Sequence, residues 1–397
     1  MGRRTSIALL AIGHACVDVY QGAVAALVPF FVAERAYGYA TVAGIVLAAS
    51  LLSSVAQPVF GALTDRRPMP WLLPVSTIVG GAGIALSGVT GSYGLTLVFV
   101  ALSGIGVAAY HPESARTARL ASEGSHSAMG VFSLGGNLGF ATAPLLVAGV
   151  AAAGGLRMTP LLVFPALAGA VLCLPVLRAV ARRHGGGERG AAVARGADDW
   201  GSFVRLSFAV IARSVVFLGL STFLALYVQQ RSGGGSVAGT VALFVLYLGG
   251  AVGSVVGGIL AGRWDRVTVA RSSYLVSIVA VAGVVVVPGP AISVFVALTS
   301  MGLYVPFSLQ VTLGQDYLPS RVGTASGITL GLTVGIGGVA SPVIGWLADR
   351  TTLQVALAPL ILMPVVSWLL FRGLPEPGAS HPGGRARVPR SRSRSGR

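Results

Sequence analysis

Lysine is absent from the 397 residues, and all 28 basic residues are arginine. Acidic residues number only 12, and charged residues of either sign make up 10% of the chain. Soluble domains carry about a quarter charged residues, so this scarcity excludes an ordinary water-facing surface. Cysteine is limited to Cys16 and Cys173, both within apolar runs, so no disulfide framework is expected. There is no phosphate-cradling glycine loop, no metal-ligand spacing and no nucleophile–base pairing of recognisable interval. An enzyme is therefore not expected, nor is a cofactor or a bound metal. Long polar stretches are also missing, apart from residues around 181–202 and those after Arg372.

What fills the space is apolar: 54% hydrophobic residues, 56 glycines and a mean hydropathy of +0.80. A membrane-crossing helix needs about 20 mostly apolar residues. The chain supplies twelve such spans, near 7–33, 41–63, 71–90, 94–115, 126–153, 157–180, 203–229, 237–262, 271–288, 290–313, 324–347 and 352–372. Helices are expected throughout, because hydrocarbon offers backbone groups no other hydrogen-bond partner. Residues 1–5 form a short basic flank without a small-residue cleavage site, so the first span reads as a retained signal-anchor helix.

The net charge of +16 does not point to nucleic acid, because the arginines sit between hydrophobic spans. With both termini in the cytoplasm, the outer loops hold only Arg35, Arg157, Arg231 and Arg350, and Arg213 lies inside a span. The other 23 are cytoplasmic, and 16 remain against 4 when the seven from Arg372 onward are left out. That asymmetry follows the positive-inside rule and predicts a multi-pass cell-membrane protein with both ends cytoplasmic.

The expected organisation is a six-helix half over 1–180, a flexible cytoplasmic linker over 181–202 and a second six-helix half over 203–372. A disordered arginine-rich tail over 373–397 follows, either solvated or touching anionic lipid. The halves read as repeats. Tyr110-His111-Pro112 precedes Gly130 by roughly the interval between Tyr304-Val305-Pro306 and Gly327, and Pro144 and Pro342 follow at similar offsets. Repeats of this kind place a binding site between the halves, near the bilayer midplane.

Several residues are candidates for function. His14, Asp18 and Gln21 share one face of the first span, with Asp18 near mid-depth. A carboxylate there costs roughly 2.5–3.5 kcal/mol by insertion scales, so it should face a cavity or a partner, or take up a proton. Asp18 is the expected proton site, with His14, His111 and Glu113 assisting. A packing-only Asp18 and a simple Glu113–Arg116 ion pair are the bland alternatives. Arg213, deep in the seventh span, needs a counter-ion such as Asp18, or an anionic ligand group. Gln21, Tyr110, Asn137, Tyr227 and Tyr304 are further candidate cavity groups.

Gly61 to Asp65-Arg66, a glycine followed after three residues by Asp-Arg, closes the second span and resembles the inter-helix motif of the major facilitator superfamily. Gly258 to Asp265-Arg266 is an irregular copy. Gly345 to Asp349-Arg350 has the right spacing but falls on the outer side, and is set aside as coincidence. Gly130, Gly139 and Pro144 match part of the superfamily's antiporter motif, with Ala143 in place of a glycine and the final glycine pair missing.

More narrowly, Tyr110-His111-Pro112-Glu113-Ser114-Ala115-Arg116, Gly135-Gly136-Asn137-Leu138-Gly139-Phe140 through Pro144, and Arg213-Ser214 with Thr222-Phe223-Leu224 resemble the fosmidomycin-resistance-type efflux family. The resemblance implies an all-α membrane protein with twelve helices in two pseudo-symmetric halves. It also implies proton-driven export of a small, often anionic or antibiotic-like molecule, by a monomer whose partners are substrate, protons and lipid. Gly61, Asp65 and Arg66 would be a conformational latch, and Gly130, Gly139 and Pro144 a packing hinge. Residues 97–109 carry no charge, so the span-four arginine of many drug/proton antiporters is absent. A symporter importing a metabolite and a non-transporting membrane receptor remain the alternatives.

Overall fold

Helix follows helix in the computed structural model, which describes residues 2–123, 125–183 and 197–377. The first half comprises α1 (Arg3–Arg35), α2 (Tyr39–Arg66), α3 (Leu72–Ser87), α4 (Tyr93–Ser122), α5 (His126–Ala152) and α6 (Val163–Arg183). A 3-10 turn, Gly155–Leu162, leads into α6. The second half comprises α7 (Trp200–Ser232), α8 (Gly235–Ala261), α9 (Arg266–Val286), α10 (Ile292–Tyr317) and α11 (Val322–Arg350). Its last span is α12 (Leu353–Leu357) and α13 (Leu362–Arg372), joined by a 3-10 turn at Ala358–Ile361. Ten spans among the described residues are long and apolar enough to cross a bilayer, and α3 is a shorter apolar helix. With α11, these are the twelve expected from the sequence.

The helices are nearly uniform in polarity around their circumference, so packing is set by small residues rather than by a greasy stripe. The pair α1–α5 illustrates this. A side chain at Gly135 would strike the backbone of Ala11, and one at Gly139 the backbone of Ala15. Gly139 therefore lies in close contact with α1. Gly130 does not: it is exposed, and a methyl group there would meet nothing. Pro144 sits within α5 without ending it, beside a small cavity it shares with Pro29 and Gln229.

The halves meet most tightly at the end opposite the termini. There Asp349, at the last turn of α11, caps the N-terminus of α2: its Oδ1 accepts from Tyr39 N at 2.7 Å and its Oδ2 from Ala40 N at 2.9 Å. Gln230 Nε2 of α7 donates to the Tyr39 hydroxyl at 2.9 Å. Gly345, one turn before Asp349, permits this approach, since a Cβ there would lie 2.6 Å from Tyr39 O. The Gly345–Asp349 copy dismissed as coincidence is thus an inter-half tie, made to the partially positive end of a helix.

The α2–α11 seam continues through Gly338 against Ser50 and Gly335 against Ser54. It then parts toward the termini-bearing end, where Gly61 and Gly327 each face open space. So Gly61 makes no close packing in this conformation. Arg66 is exposed, and the Asp65 side chain lies outside the described residues.

At the termini-bearing end of the second half, Asp265 caps α9 through Thr268 N at 2.7 Å, and Arg266 pairs with Asp316 and Glu376, each at 2.7 Å. Glu376 also accepts from Val267 N at 3.0 Å, and Leu374 is buried. Residues 373–377, expected to be disordered, are therefore anchored by charge and by an apolar plug, while the rest of the tail lies outside the described residues. The linker expectation falls mostly outside them too, except at its end. There Asp199 caps α7 through Ser202 N at 3.0 Å, and Asp198 binds Ser320 ahead of α11. The Ser320 hydrogen bonds hold the Asp198 carboxyl below the usual carboxylate range, so this tie is intact at neutral pH and weakens only on acidification.

Candidate transport site

Midway along α1, Asp18 faces a cavity of about 220 Å3 enclosed by both halves. Gln21 and Asn137 line it from the first half, and Tyr304, Phe217 and Phe307 from the second. Phe140 stacks on Tyr247 at 4.1 Å across the two halves, and Phe217 meets Tyr304 edge-on at 5.1 Å. The wall is thus aromatic and serine-rich, with Asp18 the one charged residue lining it among the described residues.

Asp18 does not stand alone. His14, one turn earlier, places Nε2 3.3 Å from Oδ2, and His111 of α4 places Nε2 3.2 Å from Oδ1. Each imidazole is held by its other nitrogen: His14 Nδ1 lies 3.0 Å from Phe132 O, and His111 Nδ1 lies 2.7 Å from Val107 O. His14 also stacks on the Phe132 ring at 4.4 Å. A carbonyl oxygen only accepts, so Nδ1 must carry the hydrogen in both rings. In the neutral state, then, two Nε2 lone pairs are aimed at a carboxylate. The cluster is relieved only when positive charge enters it, on the imidazoles or between them.

Gly136 makes room for this arrangement. A Cβ there would lie 2.5 Å from Asp18 Oδ2 and 2.7 Å from His14 Nε2. The Gly135-Gly136-Asn137-Leu138-Gly139 run thus has a physical reading: two glycines seat α1, one opens the cluster, and Asn137 reaches the cavity.

Other expected site residues lie elsewhere. Glu113 is fully buried in a bidentate pair with Arg116 and accepts weakly from Met69 N at 3.4 Å. The ion-pair alternative is the one the structure favours, and Glu113 does not join the Asp18 cluster. Tyr110 is buried against α1 and α6, beside Gly13, rather than in the cavity. Tyr227 donates to Val285 O at 2.6 Å and lies against Arg231, also away from the cavity. Arg213 is 1% exposed; its Nε donates to Gln310 Oε1 at 3.1 Å, and Gln310 Nε2 donates to the Tyr274 hydroxyl at 2.6 Å. Its guanidinium sits 5.1 Å from the Phe307 ring and 6.0 Å from that of Tyr304. Asp18 is held by histidines of its own half, so the suggested Asp18–Arg213 pair is not what the structure contains. Arg213 stands behind Phe307 and Tyr304, whose rings line the cavity.

Sequence reading missed Gly136, Gln310 and the aromatic wall apart from Tyr304. Gly136 carried a signal in its glycine run. Gln310 carried none beyond being an amide inside an apolar span.

Two bundles of six helices around a shared central cavity, sealed at one end and parted at the other, define a transporter architecture. The chain belongs to the Major Facilitator Superfamily, whose family model matches residues 10–342. It is 29% identical over 382 residues to the fosmidomycin resistance protein of Escherichia coli (strain K12), covering 92% of each chain. It is 28% identical over 380 residues to the uncharacterized MFS-type transporter YfnC of Bacillus subtilis (strain 168), covering 91% of each. Among solved structures, it resembles an inward-facing, unoccupied bacterial homologue of the human lysosomal transporter Spinster, with a TM-score of 0.74 at 15% identity over 93% of this chain and 96% of that one. That likeness speaks to fold alone.

Proposed function

We propose that the protein is a secondary carrier that exports a small organic or antibiotic-like compound in exchange for protons. The observation that carries this reading is the Asp18–His14–His111 cluster on the wall of the inter-half cavity. A carboxylate with two imidazoles can take up positive charge from one side of the membrane and give it up on the other as the halves rock. The relative that confers fosmidomycin resistance supports an antibiotic-like substrate and the outward direction. Arginine distribution supports placing both termini, and hence the parted end, at the cytoplasm. On that assignment the structure is inward-facing, with Asp349 closing the outer end. Residues 181–202 would tether the halves, and the protein would act as a monomer.

Intact cells test the direction. Expression should lower accumulation of the exported compound, and a protonophore should restore it to the level of cells lacking the protein. Accumulation that rises on expression and collapses with the protonophore would instead establish uptake.

A further inference from the structure

We propose that His14, Asp18 and His111 form a binding site for one divalent transition metal ion of the zinc type, reached from the central cavity. The three side chains offer ligand atoms that all lie within 4.8 Å of one another. Each imidazole lies close to one oxygen of the shared carboxylate, His14 Nε2 at 3.3 Å from Oδ2 and His111 Nε2 at 3.2 Å from Oδ1, each near the roughly 3.3 Å spacing of two ligands that stand about 2.0–2.1 Å from one ion. The two imidazoles approach different oxygens of Asp18, so a single ion would draw both rings inward around the carboxylate.

The surroundings are those of a metal site. A ligating histidine characteristically donates its second nitrogen to a carbonyl or carboxylate, which fixes the tautomer and aims the lone pair. Both histidines do so here, through Phe132 O and Val107 O. His14 Nε2 and Asp18 Oδ1 are buried and have no hydrogen-bond partner beyond the 3.3 and 3.2 Å imidazole–carboxylate contacts. Orphaned polar atoms at such depth are costly, and an ion satisfies both at once. Gly136 keeps the space between them clear, because any side chain would intrude on both. Imidazole nitrogen with carboxylate oxygen suits zinc and cobalt better than magnesium or calcium, which prefer all-oxygen shells. Three protein ligands leave one position open, and of the three Asp18 lines the cavity. A water or a donor atom of a cavity ligand would complete the shell. The inference goes beyond the transport reading: it requires three ligands and no movement of protons.

The test uses the full-length protein without a histidine tag, stripped by chelator and titrated with Co2+ in detergent. Visible d–d absorption should saturate at one ion per chain and be displaced by Zn2+. His111→Gln and Asp18→Asn should each weaken Co2+ binding at least about tenfold. The combined His126→Gln, His184→Gln, His381→Gln variant removes the other histidines and should bind as the wild type does. Should Asp18→Asn not fold, His111→Gln, at a less buried position, carries the comparison, with thermal unfolding as the control for integrity. Absence of saturable absorption in the wild type would overturn the proposal. So would binding that survives in a folded His111→Gln variant, or binding lost in the three-histidine variant. Co2+ binding without substrate-driven proton flux would sink the antiport reading and leave the metal site standing; the reverse result would do the opposite.

Discussion

At the residue scale, two glycines of α5 separate packing from composition. Gly136→Ala pushes a methyl group into Asp18 and His14, so it should lower stability by about 1–3 kcal/mol, the usual cost of overpacking. Gly130→Ala meets open space and replaces the weaker helix former, so it should be neutral or stabilising by up to about 1 kcal/mol. Thermal unfolding in one detergent compares the two; equal effects would contradict the assignment of Gly136 to the cluster. Glu113 gives a second contrast. Because it serves Arg116 and the loop before α3, Glu113→Gln should lower the unfolding temperature while leaving the proton-to-substrate ratio unchanged. A changed ratio would return Glu113 to the coupling site.

At the element scale, the seam between α2 and α11 is the place where the two halves are tied. Asp349 satisfies two first-turn N–H groups of α2, a capping role worth about 0.5–2 kcal/mol. Asp349→Ala should therefore shift the population toward a form open at the end opposite the termini by roughly five-fold. Spin labels at the ends of α2 and α11 would report this as growth of a longer-distance population; an unchanged distribution would show that the tie is incidental. Helix existence was legible in the sequence, because charged punctuation separates apolar runs of bilayer length. The role of Asp349 was not, since the partner of its motif is a helix start some 310 residues away. Helical phase was equally hidden. When every face of a helix is apolar, periodicity does not tell cavity from lipid or from a neighbouring helix. Polarity alone therefore points Tyr110 and Tyr227 to the cavity, whereas the cavity lining holds Phe140, Phe217 and Phe307 and neither of those tyrosines.

At the scale of the whole molecule, the functional constellation arises only when α1, α4 and α5 close on one another. His14 and Asp18 are one turn apart and their pairing could be read directly. His111 joins them from a helix that begins at Tyr93, and no local spacing announces it. The second half contributes aromatic surface, with the Arg213 guanidinium behind it, so the two halves present different chemistry to one cavity: a carboxylate backed by two imidazoles on one side, aromatic rings on the other. On the proposed exchange mechanism, occupancy of one wall alters the fit of the other. Everted vesicles with an internally acid gradient, a pH-sensitive dye and a panel of antibiotics and small organic acids measure this most directly. In the wild type, one compound should collapse the gradient; in Asp18→Asn vesicles holding equal amounts of folded protein, the same compound should not. Equal collapse in both would contradict coupling at Asp18, and no collapse by any compound that the purified protein binds would contradict antiport itself.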